Sequence, residues 1–297
     1  MKVGLAIPEQ LIGFDPSIVR DYAVTAEELG FSYLTLVDHV LGTLHEDRDP
    51  PFDPGGIYTE KSLFHEPLTT FAFLAGATSR IEFVTGVLVL AQRQTALVAK
   101  QAAEVALLSR DRLRLGVGTG WNYVEYESLG MDYRTRGRRL EEQVLLLRRL
   151  WSEPLLDVDS EFHRIDRAGL NPLLSQPVPI WFGGFSAIQQ NRCARIGDGM
   201  LWTGNTSLSR RGNATIREVA ATLGRDPDTL GFQAGMTPKE GETLQQAIQA
   251  WDSAGGTHAT VSPARLDGGA ESGQPLLTGR ALVDLLPRLR EEVGDFI

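Results

Sequence analysis

Eight short runs rich in Val, Ile, Leu and Phe recur along the chain with helix-length segments between them, and this alternation restricts the fold more than any other feature. The runs fall at 2–7 (KVGLAI), 32–37 (SYLTLV), 81–87 (IEFVTGV), 112–117 (RLRLGV), 178–182 (VPIWF), 199–203 (GMLWT), 229–235 (TLGFQAG) and 257–262 (THATVS). Strands this uniformly apolar belong in a parallel sheet covered on both faces. Eight β/α units close such a sheet into a barrel. The predicted fold is therefore α/β, a (β/α)8 TIM barrel, and 297 residues suit one barrel domain over 1–297.

The segments between the runs carry apolar residues three and four apart. Val19, Tyr22, Ala23, Ala26 and Leu29 mark a helix that stops at Gly30, where a left-handed cap is cheap. Leu97, Val98, Gln101, Ala102, Val105 and Leu108 mark a second, Leu140 to Trp151 a third, and 277–293 a last helix against the barrel's end. Two connections, 40–66 and 155–177, exceed the usual α/β loop length. The first follows a strand, so it lies over the C-terminal face where barrel enzymes keep their chemistry, and it reads as a substrate cover. Its Phe52, Tyr58 and Phe64 suit an apolar pocket. The second precedes a strand and is assigned no role. The Gly-Gly-Ala-Glu-Ser-Gly stretch at 268–273 reads as a loop.

Composition narrows the partners. A formal charge of -9 with no basic stripe gives no electrostatic footprint for nucleic acid or an anionic membrane, so a small-molecule substrate is expected. No run of 18 uncharged apolar residues and no basic-then-apolar leader occurs, and the expected localisation is cytoplasmic. Cys193 is the single cysteine, which excludes an intramolecular disulfide and a multi-cysteine zinc site; its helical setting reads as packing. His45, His65, His163 and His258 show no metal-ligand spacing, so no metal is expected. No Gly-x-Ser-x-Gly elbow is present.

Candidate chemistry gathers at strand ends. The second run closes on Asp38-His39; a histidine there can exchange a proton near neutral pH with a hydroxyl or carbonyl, or can be a structural histidine held by Asp38. Gly86, inside the third run and followed by Val87, marks a barrel-closing bend or close approach of a planar group. Arg93, beyond that run, is expected to solvate its loop. The fourth run passes into Gly116-Val117-Gly118-Thr119-Gly120-Trp121-Asn122, which is not a dinucleotide fingerprint but lets a ligand lie against backbone, with the Asn122 amide beside it. After the fifth run, the amides of Gly184, Phe185 and Ser186 at a helix start form a phosphate cradle, or Ser186 simply caps that helix.

Taken together, Ala26-Glu27-Glu28-Leu29-Gly30-Phe31 leading to Asp38-His39, the run TGVLVLAQRQTALVAKQAAEVALLSRDRLRLGVGTGW and the run PIWFGGFSAIQQNRCARIGDGM resemble the luciferase-like monooxygenase superfamily, within it the branch that uses coenzyme F420, a deazaflavin. The resemblance covers most of the chain. It implies a bacterial luciferase-like barrel with a non-prolyl cis peptide at Gly86-Val87 behind the cofactor ring. It also implies that Asp38 and His39 face the ring, that Thr119 and Asn122 line its edge, and that Gly183, Gly184, Phe185 and Ser186 hold its phosphate. A deazaflavin has carbon where flavin has N5, so hydride transfer to or from a small organic substrate is the implied reaction. The alternatives are an FMN-dependent monooxygenase supplied with reduced flavin, or a barrel that binds such a cofactor without turnover. Relatives of this kind pair as homodimers.

Departures qualify the substrate. Sugar-phosphate dehydrogenases of the branch carry an acid near the Thr119 position, which this chain lacks. Arg110-Asp111 replaces small turn residues, and Met200 stands where many relatives have Trp. The loop at 236–241 is short, whereas monooxygenases of the superfamily often have a long insertion there, which favours the deazaflavin branch.

Overall fold

All eight apolar runs form strands of one closed parallel barrel, each beside the next in chain order and the last beside the first. The computed structural model describes residues 1–48, 50–51, 58–263 and 276–297; Phe52 and the stretch 268–273 lie outside the described residues. The barrel strands are β1 (Lys2–Ala6), β2 (Tyr33–Leu36), β3 (Glu82–Thr85), β4 (Leu113–Val117), β7 (Ile180–Gly183), β8 (Gly199–Trp202), β9 (Gly231–Gly235) and β10 (His258–Val261). The helices are α1 (Glu9–Ile12), α2 (Pro16–Glu28), α3 (Pro67–Ala75), α4 (Thr95–Ser109), α5 (Tyr123–Ser128), α6 (Arg136–Ser152), α7 (Ala187–Ile196), α8 (Ser207–Thr222), α9 (Leu244–Asp252), α10 (Arg280–Asp284) and α11 (Leu286–Val293).

Two expectations change. Residues 155–177 contain a two-stranded antiparallel hairpin, β5 (Leu156–Asp159) with β6 (Arg164–Ala168). Its turn is pinned by Glu142 of α6, which accepts from His163 Nδ1 at 2.6 Å. The last helix is two helices, because Pro287 in the first turn of α11 offers no N–H to a continuing helix and clashes with the carbonyl four residues earlier.

The strands alternate between two cores, as period-two side chains must. Outward residues such as Leu34, Leu36, Phe83, Leu115 and Ile180 join the helix layer in the large hydrophobic cluster. Inward, Tyr33, Val84, Trp181 and Leu201 make a small separate cluster that plugs the barrel. This plug fits because glycines face it. A Cβ on Gly231 would fall 2.0 Å from the Trp181 ring, and one on Gly4 would fall 2.4 Å from Tyr33. The two aromatic rings therefore occupy the N-terminal half of the barrel. Higher up, towards the C-terminal mouth, Gly86, Gly118, Gly183 and Gly235 again stand where side chains would, and a cavity opens.

Candidate functional site

The mouth holds a cavity of about 480 Å³ whose lining includes Thr35, Val37, Gly86, Val87, Gly118, Thr119, Gly183, Gly184 and Gln233. Among the described residues, none of the side chains that line it carries a charge. One wall is built around Val87, which follows a non-prolyl cis peptide after Gly86. A Cβ on Gly183 would sit 2.4 Å, and one on Gly118 2.6 Å, from the Val87 methyl groups. The two glycines thus let Val87 project between two strand ends, where it presents a smooth apolar face to the cavity. Gly86 itself has no room for a Cβ, which would fall 2.3 Å from the Thr35 hydroxyl. Gln233 reaches the cavity with a buried side-chain oxygen that has no protein partner, an acceptor positioned for a ligand N–H or O–H.

His39 stands two residues beyond the cavity-lining Val37, largely covered, with 12% of its side chain exposed. Its partner is Glu125, not Asp38. Nδ1–H donates to Glu125 Oε2 at 3.1 Å, and Glu125 Oε1 accepts from the Val40 and Leu41 amides at 2.5 and 3.2 Å. With Nδ1 committed to the carboxylate, Nε2 is the nitrogen left to exchange a proton. The rings of Tyr58, Phe64 and Trp121 surround the imidazole at centroid distances of 4.4, 4.8 and 5.9 Å. They fix its orientation and limit access of water.

Asp38 points the other way. Consecutive residues of an extended segment face opposite sides, so with Val37 at the cavity Asp38 enters the helix layer. There it accepts from the Val89 amide at 2.8 Å and from Arg93 through both oxygens, at 2.6 and 3.2 Å. Burial pushes its carboxyl above the usual range, and the Arg93 guanidinium and Val89 amide pull it back. Arg93 is not the solvated loop cation expected from sequence. It is largely covered, with 13% of its side chain exposed, between Asp38 and Glu66, whose Oε1 lies 3.0 Å away. Asp38 is therefore a positioning residue for the end of β2.

Asn122 also leaves the cavity edge. It is buried, caps α5 by accepting from the Val124 amide at 3.0 Å, and donates to Thr43 and Tyr58 hydroxyls at 2.9 and 2.8 Å. It thereby clamps the connection after β2 onto the strand-four loop. Thr119 does line the cavity, with Gly183 and Gly184 at the end of the neighbouring strand. Ser186 caps α7 by accepting from the Gln189 amide at 3.2 Å. Its neighbour Phe185 is exposed at the rim, and the unpaired first-turn amides of a helix are what an anion would meet there. Cys193 is buried and hydrogen-bonded to the Gly199 carbonyl, and burial pushes its thiol up to about 12, so it packs and does not react.

Two carboxylates escaped the sequence reading. Asn122-x-x-Glu125 has the pattern of a capping box, and nothing local says that Glu125 turns to His39 instead. Glu9, just after β1, is buried with both oxygens lacking a protein partner. Burial, then the nearby Asp38 charge, raises its pKa to about 9. It is a protonated carboxyl at neutral pH, able to donate. The folded protein keeps this proton while the unfolded chain releases it near 4.5. Stability conferred by the protonated form is thus complete below that value and declines as pH rises towards 9, by up to about 1.4 kcal/mol per pH unit. Glu9→Gln is expected to flatten this decline in urea unfolding measured across that window; an unchanged profile would show that Glu9 is ionised in the fold.

Comparison with known proteins agrees with this architecture. The family described as luciferase-like monooxygenase matches residues 1–282. An uncharacterized protein of Mycobacterium tuberculosis is 34% identical over 224 residues, 75% of this chain and 77% of its own. The F420-dependent hydroxymycolic acid dehydrogenase of the same organism is 30% identical over 256 residues, 84% of this chain and 67% of its own. Among solved structures, an F420-dependent secondary alcohol dehydrogenase in complex with an F420–acetone adduct superposes with a TM-score of 0.75, at 16% identity, over 99% of each chain.

Proposed function

The chain belongs to the luciferase-like monooxygenase family, and from that premise we propose that it is an F420-dependent oxidoreductase acting on an uncharged organic alcohol or carbonyl compound. The observation that carries this reading is the pairing of a glycine-rich cavity, uncharged among the described residues, with a carboxylate-oriented histidine two residues beyond its Val37 lining. Named relatives with F420-dependent dehydrogenase activity support the choice of cofactor.

The residues present fit such a group. A flat ring needs a smooth wall, which the Val87 face seated against Gly118 and Gly183 provides, and a polar edge, which the free Gln233 oxygen provides. Thr119 would stand at the ring edge, and the first turn of α7 with Gly184, Phe185 and Ser186 would hold the phosphate. When bound, a deazaflavin supplies hydride donation and acceptance. The protein's own part is proton management and exclusion of water. His39 Nε2 takes or returns the proton of the substrate hydroxyl, and Glu125 holds the imidazole in the tautomer that allows it. Val37, Val40, Leu41 and Leu63 are exposed around His39 and its loop, giving an apolar approach that suits a substrate without charge.

Fluorescence titration of the purified protein with F420 and with FMN tests the cofactor. Saturable binding of F420 and weak binding of FMN are expected, and a substrate screen should then yield stoichiometric F420 turnover. Binding of FMN alone, with oxygen consumption when it is supplied reduced, would replace this reading with that of a monooxygenase.

A further inference from the structure

Beneath the cavity, inside the barrel floor, lies a charge that no hydrogen bond satisfies. Arg114 of β4 points inward and is 5% exposed, and its Nε, Nη1 and Nη2 are all buried without a protein acceptor. The Trp181 and Tyr33 rings cover its guanidinium carbon from two sides at 4.2 and 5.1 Å. These contacts stabilise a cation through the ring faces but accept none of its N–H groups along the guanidinium edge.

A guanidinium keeps its proton in proteins, so the charge remains even though burial draws its pKa down. Glu82 is the carboxylate that acts on it, yet the approach is 3.9 Å, beyond hydrogen-bonding range. That carboxylate is already engaged by Lys2. Two cations therefore share one anion. His258, beside Trp181 at 5.0 Å, gives no relief: burial, then Arg114 and Lys2, depress its pKa to about 2, so it is neutral. Trp181 and His258 also line a cleft of about 540 Å³ on the underside of the barrel, which Arg114 itself does not reach.

We infer that the barrel floor is a binding site for one small monovalent anion, of the halide, nitrate or formate class, held edge-on by the Arg114 guanidinium between Tyr33 and Trp181. One such ion offsets the unmatched guanidinium charge and occupies the orphaned donors. A dianion would meet the Glu82 carboxylate and is disfavoured. The site is separate from the mouth, and its test does not depend on the cofactor.

The test compares thermal unfolding midpoints of the whole protein in sodium chloride, sodium nitrate and sodium gluconate at equal ionic strength. A ligand that binds only the folded state raises the midpoint saturably with its concentration. Chloride and nitrate should raise it by several degrees over gluconate. Arg114→Met should abolish the difference, and Glu82→Gln should move its midpoint to lower chloride because the competing carboxylate is gone. Identical curves for the wild type in chloride and gluconate, or an anion dependence that survives in Arg114→Met, would overturn the site. Should Arg114→Met not fold, bromide-soaked crystals of the wild type decide: an anomalous peak at the guanidinium supports the inference, and none there refutes it.

Discussion

Replacing His39 by Ala is expected to lower turnover by roughly 10²–10⁴-fold, the usual contribution of a positioned general acid–base, while changing cofactor affinity little. The expectation rests on the His39–Glu125 hydrogen bond of 3.1 Å and on the place of His39 two residues past the cavity-lining Val37. Glu125→Gln should act in the same direction. Its remaining carbonyl oxygen can still accept from the Val40 and Leu41 amides, but its NH2 cannot accept from Nδ1–H, so the imidazole is pressed towards the wrong tautomer. Single-turnover absorbance of the F420 chromophore with a substrate from the screen measures both, and fluorescence titration reports affinity separately. Wild-type turnover in His39→Ala would remove the histidine from the chemistry.

Arg93→Met should cost about 3–5 kcal/mol of folding stability, the typical loss when one partner of a buried ion pair is removed. Asp38 is 1% exposed and accepts two of its three hydrogen bonds from that guanidinium. Without Arg93, burial is opposed chiefly by the Val89 amide and lifts the carboxyl's pKa further, so the deficit should shrink as pH falls and Asp38 takes up a proton. The double variant Asp38→Asn, Arg93→Met should recover much of the loss, because no uncompensated charge stays behind. Urea unfolding at two pH values checks this; a loss below about 1 kcal/mol for the single variant would mean that the pair is not buried as described.

These two residues also show where sequence reading stops. Val37, Asp38 and His39 are adjacent, and the period of an extended chain already implies that Asp38 and His39 face opposite ways. Family resemblance placed both at the ring, and the alternation would have separated them. Arg93 gave no local signal at all. A lone arginine between a strand and a helix is ordinarily solvated, and only the packing of α3 against α4 brings Glu66 and Asp38 to it. Asn122 looked like a ligand-facing amide for a similar reason: its partners, Thr43 and Tyr58, are 79 and 64 residues away.

What the sequence determined by itself is the barrel. Eight apolar runs, their spacing and the glycines within them answer to short-range rules, since strand burial, the alternation of faces and a backbone that excludes a Cβ are properties of each segment alone. Gly86 and Gly118 were legible as places where something can lie close to the backbone, although that Val87 is what approaches Gly118 and Gly183 was not. The tertiary structure decided which charges meet: Glu125 with His39, Arg93 with Asp38, and Arg114 with two aromatic rings and half a carboxylate. The physical reason is that a charge is neutralised through space, and the separation that sets its energy exists only after the chain has closed.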